Sequence, residues 1–188
     1  IIIMENSKLQ DTSQVAKKNV IVMIIAILVF AVFLTINILR YIELNTFEPV
    51  VIFLDVMFLF VIFQRSQPKF ITELDKRGFR ITKISLFGKK VYDIPYREIA
   101  GVYKYKSSLA HPISFRRSFT LNSALDDRVV WVLAYRTLNK RGKKENRRIF
   151  FKASDALLDG LEQHLPNKVR IKEEEVAIIV MRREAEGK

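Results

Sequence analysis

The chain has 188 residues, 32 of them Lys or Arg against 20 Asp or Glu, for a net charge of +12, and it contains no cysteine. That length admits one ordinary domain with additions. The missing cysteines exclude a disulfide framework, an iron–sulfur cluster and a thiolate zinc site. With only His111 and His164, no cofactor or metal centre is expected.

Ile1–Ile3 ahead of Met4 read as an upstream remnant, and residues 1–19 as an N-terminal cytoplasmic segment. Val20–Leu39 (VIVMIIAILVFAVFLTINIL) is apolar except for Thr35 and Asn37. At about 1.5 Å per residue it covers the roughly 30 Å of a bilayer core. Lys17, Lys18, Arg40 and Tyr41 flank it as headgroup residues. The rival reading, a cleaved signal peptide, needs a shorter apolar run and a small-x-small site, and neither is present.

Phe47–Phe63 (FEPVVIFLDVMFLFVIF) is the second span, short and carrying Glu48 and Asp55. Thr46 is the expected N-cap, and Pro49 falls in the first turn, where its missing N–H costs little. The short connector Tyr41–Thr46 makes residues 20–64 an antiparallel transmembrane hairpin. The first 64 residues hold 4 basic and 5 acidic side chains, so the basic surplus lies beyond the hairpin. Lys8, Lys17 and Lys18 precede it, whereas Arg40 stands alone near Glu43 and Glu48. The positive-inside rule then puts both termini in the cytoplasm of a cell membrane and the connector outside.

A carboxylate in mid-span, as at Asp55, costs several kcal/mol unless protonated or partnered. Its readings are assembly with another membrane helix, a hydrogen bond inside the hairpin, or an ion pathway. Counting depth from Leu39 and Phe47 leaves an axial offset of about 9 Å to Asn37 and about 6 Å to Thr35. Thr35 is therefore the expected partner within the chain.

From Pro68 the pattern becomes short alternating runs separated by turn residues, as in an antiparallel β domain. The expected strands are Phe70–Leu74, Phe79–Leu86, Lys89–Ile94, Gly101–Lys106, Ser114–Leu121, Val129–Thr137 and Arg147–Lys152. A short turn at Tyr96–Ile99 precedes the fourth. A helix follows, with Ser154 as N-cap, Asp155 at its positive end and Pro166 as its stop. Leu157, Leu158, Leu161 and Leu165 give it one apolar face to cover the end of a small barrel. His164 beside Leu165 reads as a boundary residue rather than a ligand.

The hairpin ITELDKRGFRI (Ile71–Ile81), the segment VYDIPYREIAGVYKY (Val91–Tyr105), and RRIFF followed by a leucine-rich helix resemble the pleckstrin-homology-like domains attached to bacterial transmembrane hairpins. Ile94, Pro95, Tyr96, Ile99 and Val102 match that family's turn pattern. The resemblance covers about Phe70–Leu165. It implies a bacterial membrane protein whose residues 65–167 form a PH-like barrel of about seven antiparallel strands capped by a C-terminal helix. The insert Ser107–Asp127 and the tail 168–188 depart from the pattern. In the tail, Val176–Met181 (VAIIVM) suits a strand by its β-branched residues, while Glu173–Glu175 before it and Arg182-Arg183 after it suit a helix. It is expected to dock on the domain.

Lys140, Arg141, Lys143, Lys144, Arg147 and Arg148 straddle a hairpin turn. They read as a contact for anionic lipid headgroups or an acidic partner, or as a solvated tip; Arg116 and Arg117 form a smaller pair. Nucleic acid is not expected, because the glycines of an RNA-recognition motif, zinc-finger ligands and a helix-turn-helix are all missing. No phosphate loop, G-x-S-x-G or H-E-x-x-H is present, and Asp126-Asp127 reads as a turn. A non-catalytic membrane-anchored interaction or scaffold protein is the expected function, self-associating or joining other membrane proteins. The alternatives are an anionic-lipid sensor using the 140–148 hairpin and a small subunit of a membrane transport complex.

Overall fold

A computed structural model describes residues 3–5, 8–44, 48–106, 113–139 and 141–185. The chain divides into two compact units. One comprises Gln14–Pro68 with Ser123–Asp127; the other comprises Ile1–Ser13, Lys69–Asn122 and Arg128–Lys188.

The helical unit contains α1 (Lys17–Leu44) and α2 (Pro49–Ser66), both long and apolar enough to cross a membrane. A helix satisfies its backbone groups internally, which an apolar medium demands. α1 runs for 28 residues, about 42 Å. It overshoots the expected Val20–Leu39 because Lys17–Asn19 and Arg40–Leu44 continue the helix. α2 starts at Pro49, with Glu48 in the cap position and no side-chain cap bond. The expected cap Thr46 lies outside the described residues. No residue of α1 is buried, and Asp55 alone is buried in α2. Phe30 and Phe58 stack between the helices with ring centres 5.2 Å apart.

Ser123–Asp127, read from sequence as part of a loop, packs across the open end of this hairpin. The Leu125 carbonyl accepts from Ala16 N at 2.8 Å and from the Asn19 amide at 3.2 Å. Ala124 N donates to the Arg65 carbonyl at 3.3 Å, and the Asp126 carboxylate accepts from Gln14 N at 3.1 Å.

The β unit holds two five-stranded sheets and two helices. The first sheet is an antiparallel meander in chain order: β1 (Ile3–Glu5), β2 (Lys8–Thr12), β3 (Lys69–Asp75), β4 (Gly78–Ser85) and β5 (Gly88–Pro95). A 3-10 turn at Tyr96–Glu98 leads to the second sheet. Its strands are β6 (Ile99–Lys104), β7 (Arg117–Thr120), β8 (Val130–Leu138), β9 (Lys144–Lys152) and β10 (Val169–Ile171), in the order β10–β6–β8–β9–β7. β10 runs parallel to β6, and β7 parallel to β9.

α3 (Asp155–His164) begins where expected, the Ser154 hydroxyl accepting from Leu157 N at 3.3 Å. Leu157, Leu158 and Leu161 enter the main core with Phe70, Leu74, Phe79, Ile81, Leu133, Ile149 and Phe151. Strand alternation sends those residues inward, and Phe79 meets Phe151 edge-on at 5.1 Å. α4 (Glu173–Ala185) covers the opposite face of the second sheet. Val176, Ala177 and Val180 pack there with Ala100, Tyr103, Val132 and Ala134. Three acids in its first turn and Arg182-Arg183 in its last favour the helix over the strand that the β-branched run allowed.

One expectation about this unit needs correction: the sheets are not a closed barrel of seven antiparallel strands, since among the described residues ten strands form two separate sheets with two parallel pairings. The segment before the first span also joins this unit, because β2 pairs with β3 and β1 pairs with β2, Ile3 opposite Gln10. β2 also reaches the core: Leu9 packs against it, and Gly160 on α3 makes room. A Cβ at Gly160 would lie 2.8 Å from Leu9 Cδ2. β2 further supplies Asp11, a buried carboxylate that accepts from Arg128 Nη1 at 2.8 Å and from Ser154 N at 2.7 Å.

Candidate anion-binding site

The basic hairpin is formed by β8 and β9, paired from Val130–Lys152 to Leu138–Lys144. Its turn is fixed by Asn139, whose side-chain oxygen accepts from Arg141 N at 2.8 Å and Lys143 N at 3.0 Å. Gly142 closes it at φ +72°, the left-handed region that favours glycine. Lys140 lies outside the described residues. Arg141, Lys143 and Lys144 are exposed near the tip.

Arg147 and Arg148 do not join that tip, because successive residues of a strand point to opposite faces. Arg147 turns to buried Glu145, donating to Oε1 through both Nε and Nη2 at 2.5 Å. Arg116 and Arg117 approach the same carboxylate at 3.5 and 3.9 Å. Arg148 turns the other way, donating to the Ser118 hydroxyl at 2.8 Å. Its guanidinium lies 5.0 Å from the Phe115 ring centre and 4.9 Å from that of Phe150. Arg147 and Arg148 are thus engaged within the domain, while Arg116 and Arg117 stay largely exposed beside Glu145.

Burial on its own would raise the Glu145 carboxyl. The hydrogen bond and charge of Arg147, then the charge of Arg117 and a bond from Asn139, outweigh it and hold the group below its ordinary value. A carboxyl depressed by folding stabilises the fold above its unfolded pKa and loses that contribution as pH falls through the folded value. Glu145→Gln is therefore expected to melt below the native chain at neutral pH, the gap closing as the pH drops beneath the ordinary glutamate range. Melting temperature against pH for both proteins checks this.

On the α4 side of the same sheet, a cavity of about 540 Å³ is lined by Arg97, Glu98, Arg136, Thr137, Leu138, Lys144 and Arg183. Arg136 shares a strand face with Val132 and Ala134, which pack beneath α4. Its Nε and Nη1 are shut off from water and have no hydrogen-bond partner among the described residues. Arg183, in the last turn of α4, donates to the Glu98 carbonyl at 3.3 Å and the Ile99 carbonyl at 3.1 Å. Burial, and then the charge of Arg136, push Arg183 below the usual guanidinium value. Lys168 is likewise lowered, by burial and then by the charge of Arg183. Among the described residues, Arg97, Arg136 and Arg183 crowd here against the single carboxylate of Glu98.

Lys144 belongs to this cavity as well as to the basic hairpin; Arg97, Arg136 and Arg183 were not expected. Arg136 and Lys144 could have been placed on one face by alternation along VVWVLAYRT and its return strand. Arg97 and Arg183 could not, since they arrive from a turn and from the tail.

In the helical unit, Asp55 Oδ2 accepts from Asn37 Nδ2 at 3.3 Å, whereas the Thr35 hydroxyl donates to the Ala31 carbonyl at 2.8 Å. The expected Thr35–Asp55 pairing is therefore replaced by Asn37–Asp55. The depth count went wrong because α1 continues to Leu44. Asn37 lies seven residues before that end and Asp55 six after the start of α2, so the two are nearly level. His164, read as a boundary residue, stacks its ring on Tyr96 at 4.8 Å. His111 lies outside the described residues.

Compared with protein-family models and with curated proteins, the sequence matches none.

Proposed function

We propose that the chain is a non-catalytic, membrane-anchored interaction protein. The hairpin of α1 and α2 spans the bilayer twice, with the connector outside. Both termini and the β unit lie in the cytoplasm, where the β unit, a PH-like module, docks other membrane proteins or a second copy of the chain. The observation that carries this reading is the unbroken exposed apolar surface of both helices, with Leu28 59% and Phe53 66% exposed. Such surface on a soluble protein would be an aggregation hazard and suits lipid. Lys17, Lys18 and Arg65 stand at the open end of the hairpin, which favours that end as the cytoplasmic one. The β3–β5 meander, the second sheet and leucine-faced α3 support a PH-like order of elements.

Native mass spectrometry of the full chain, extracted in native-lipid nanodiscs at its natural abundance, tests the docking role. The expected result is a complex with a second copy or another membrane polypeptide; the chain alone would contradict it. A second reading, an anionic-lipid sensor, draws on Arg141 and Lys143, exposed on a turn that Asn139 fixes. Each such charge near an anionic leaflet adds about 1 kcal/mol, screened by salt. The Asn37–Asp55 bond gives Asp55 a structural task and favours the anchor over a transport pathway.

A further inference from the structure

We infer that the cavity bounded by the Tyr96–Glu98 turn, the turn end of the β8–β9 hairpin and the last turn of α4 binds a phosphate-bearing anion, held by Arg97, Arg136 and Arg183. This inference stands whether or not the β unit docks proteins.

Several arginines elsewhere in the β unit find acids, although Arg148 is held by Ser118 and two aromatic rings instead. Arg147 has Glu145, Arg128 has Asp11, and Arg170 reaches Asp155, Asp159 and Glu162. Arg136 and Arg183 break that pattern: among the described residues, neither has a carboxylate within ion-pair distance. Among the described residues, Arg183 donates to two backbone carbonyls, which fix its direction without cancelling its charge. Two of the three Arg136 nitrogens are removed from water with no acceptor. Keeping a guanidinium so poorly solvated is unfavourable unless something else supplies the counter-charge.

Leaving Lys144 aside, the described wall carries three arginines, Arg97, Arg136 and Arg183, against one carboxylate, Glu98. A single carboxylate ligand would leave part of that surplus standing. A phosphomonoester brings about 1.5–2 negative charges near neutral pH, and both it and pyrophosphate present oxygens spaced for guanidinium forks. The volume lies in the range of small-ligand pockets. Leu138 and Thr137 give an organic remainder an apolar contact and a hydroxyl. The phosphate can belong to a soluble molecule or to a lipid headgroup, and the chemistry at the cations is the same.

The test uses the full chain in phosphatidylcholine nanodiscs, with inorganic phosphate or pyrophosphate added. A second arm uses nanodiscs doped with phosphatidic acid, and phosphatidylglycerol discs control for general anionic charge. Melting temperature and hydrogen exchange of Tyr96–Glu98 and α4 are the readouts. Binding is expected to raise the melting temperature and protect both segments. Arg136→Gln and Arg97→Gln should each weaken it at least about tenfold. Arg77→Gln, at the distant β3–β4 turn, should leave it unchanged. Without ligand, Arg136→Gln should melt at or above the native temperature, since it removes an unsatisfied cation; an arginine of purely structural value would lower it. Exposed Arg97 keeps the test open if Arg136→Gln fails to fold. A response to soluble phosphates assigns a soluble ligand, and one confined to phosphatidic acid assigns a headgroup. No response to any probe, or equal losses in Arg77→Gln and the pocket variants, would overturn the inference.

Discussion

Replacing Asp11 with alanine is expected to destabilise the β unit by about 3 kcal/mol or more, the largest effect of any single substitution considered. Asp11 is 3% exposed and joins three parts of the fold: its own strand β2, Arg128 just ahead of β8, and the Ser154 N–H at the entry to α3. Removing the carboxylate leaves the Arg128 guanidinium, itself mostly buried, with the Thr12 carbonyl at 3.3 Å among its remaining partners. It also leaves the Ser154 N–H without its acceptor in a closed environment. Unmaking a buried charge pair from one side costs far more than the pair contributes net, because the surviving charge stays desolvated. Asp11→Ala/Arg128→Ala should therefore recover part of the loss, a positive coupling in a double-mutant cycle. Thermal unfolding of the full chain in nanodiscs, followed by Trp131 fluorescence, reads both. A loss below about 1 kcal/mol would mean that β2 is dispensable to the core. The same contacts bear on truncation: a fragment of residues 66–188 lacks Leu9 and Asp11 and should be markedly less stable than the β unit of the whole chain.

Asn37→Leu is expected to weaken the helical hairpin by about 2–3 kcal/mol, since Asp55 would lose its amide donor in an apolar surrounding. Asp55→Leu leaves only a neutral amide unpaired and should cost about 1 kcal/mol. The double replacement removes both polar groups and should return close to native stability. SDS titration of the full chain in mixed micelles, with dyes on the two helices, orders the variants. Equal losses in Asn37→Leu and Asn37→Leu/Asp55→Leu would show that the hydrogen bond carries no weight and that packing around Phe30 and Phe58 alone holds the pair.

Local pattern was legible where neighbouring residues decide the structure. Both long helices, the β3–β5 meander, the 3-10 turn after Pro95 and the Ser154 cap follow from apolar runs, alternation and capping chemistry. What escaped depends on residues far apart in sequence. β2 sits before the hairpin, yet pairs with β3 after it, so nothing in KLQDT alone announces a strand. α4 looked equally strand-like because its β-branched residues carry no long-range information about the sheet beneath them.

The candidate site shows the same division. Counting charges along Lys140–Arg148 found the densest basic stretch but not its use. Pleating sends Arg147 to Glu145 and Arg148 to Phe115 and Phe150. The arginines of the cavity are instead assembled from a turn, a strand and a terminal helix. Asp55 failed differently: its depth was counted from the hydrophobic block rather than from the helix end, an error of five residues in α1.

The most direct measurement tests the proposal that the β unit is membrane-anchored and faces the cytoplasm. The chain has no cysteine, so single-cysteine variants report cleanly on which side of a membrane a position lies. Glu43→Cys, at the connector end of α1, and Arg141→Cys, at the β8–β9 turn, would be exposed in intact cells to a membrane-impermeant maleimide. The expected result is labelling of Glu43→Cys at once and of Arg141→Cys only after permeabilisation, with both proteins retained in the membrane through alkaline carbonate extraction. Labelling of Arg141→Cys in intact cells, or release of the chain by carbonate, would contradict the account.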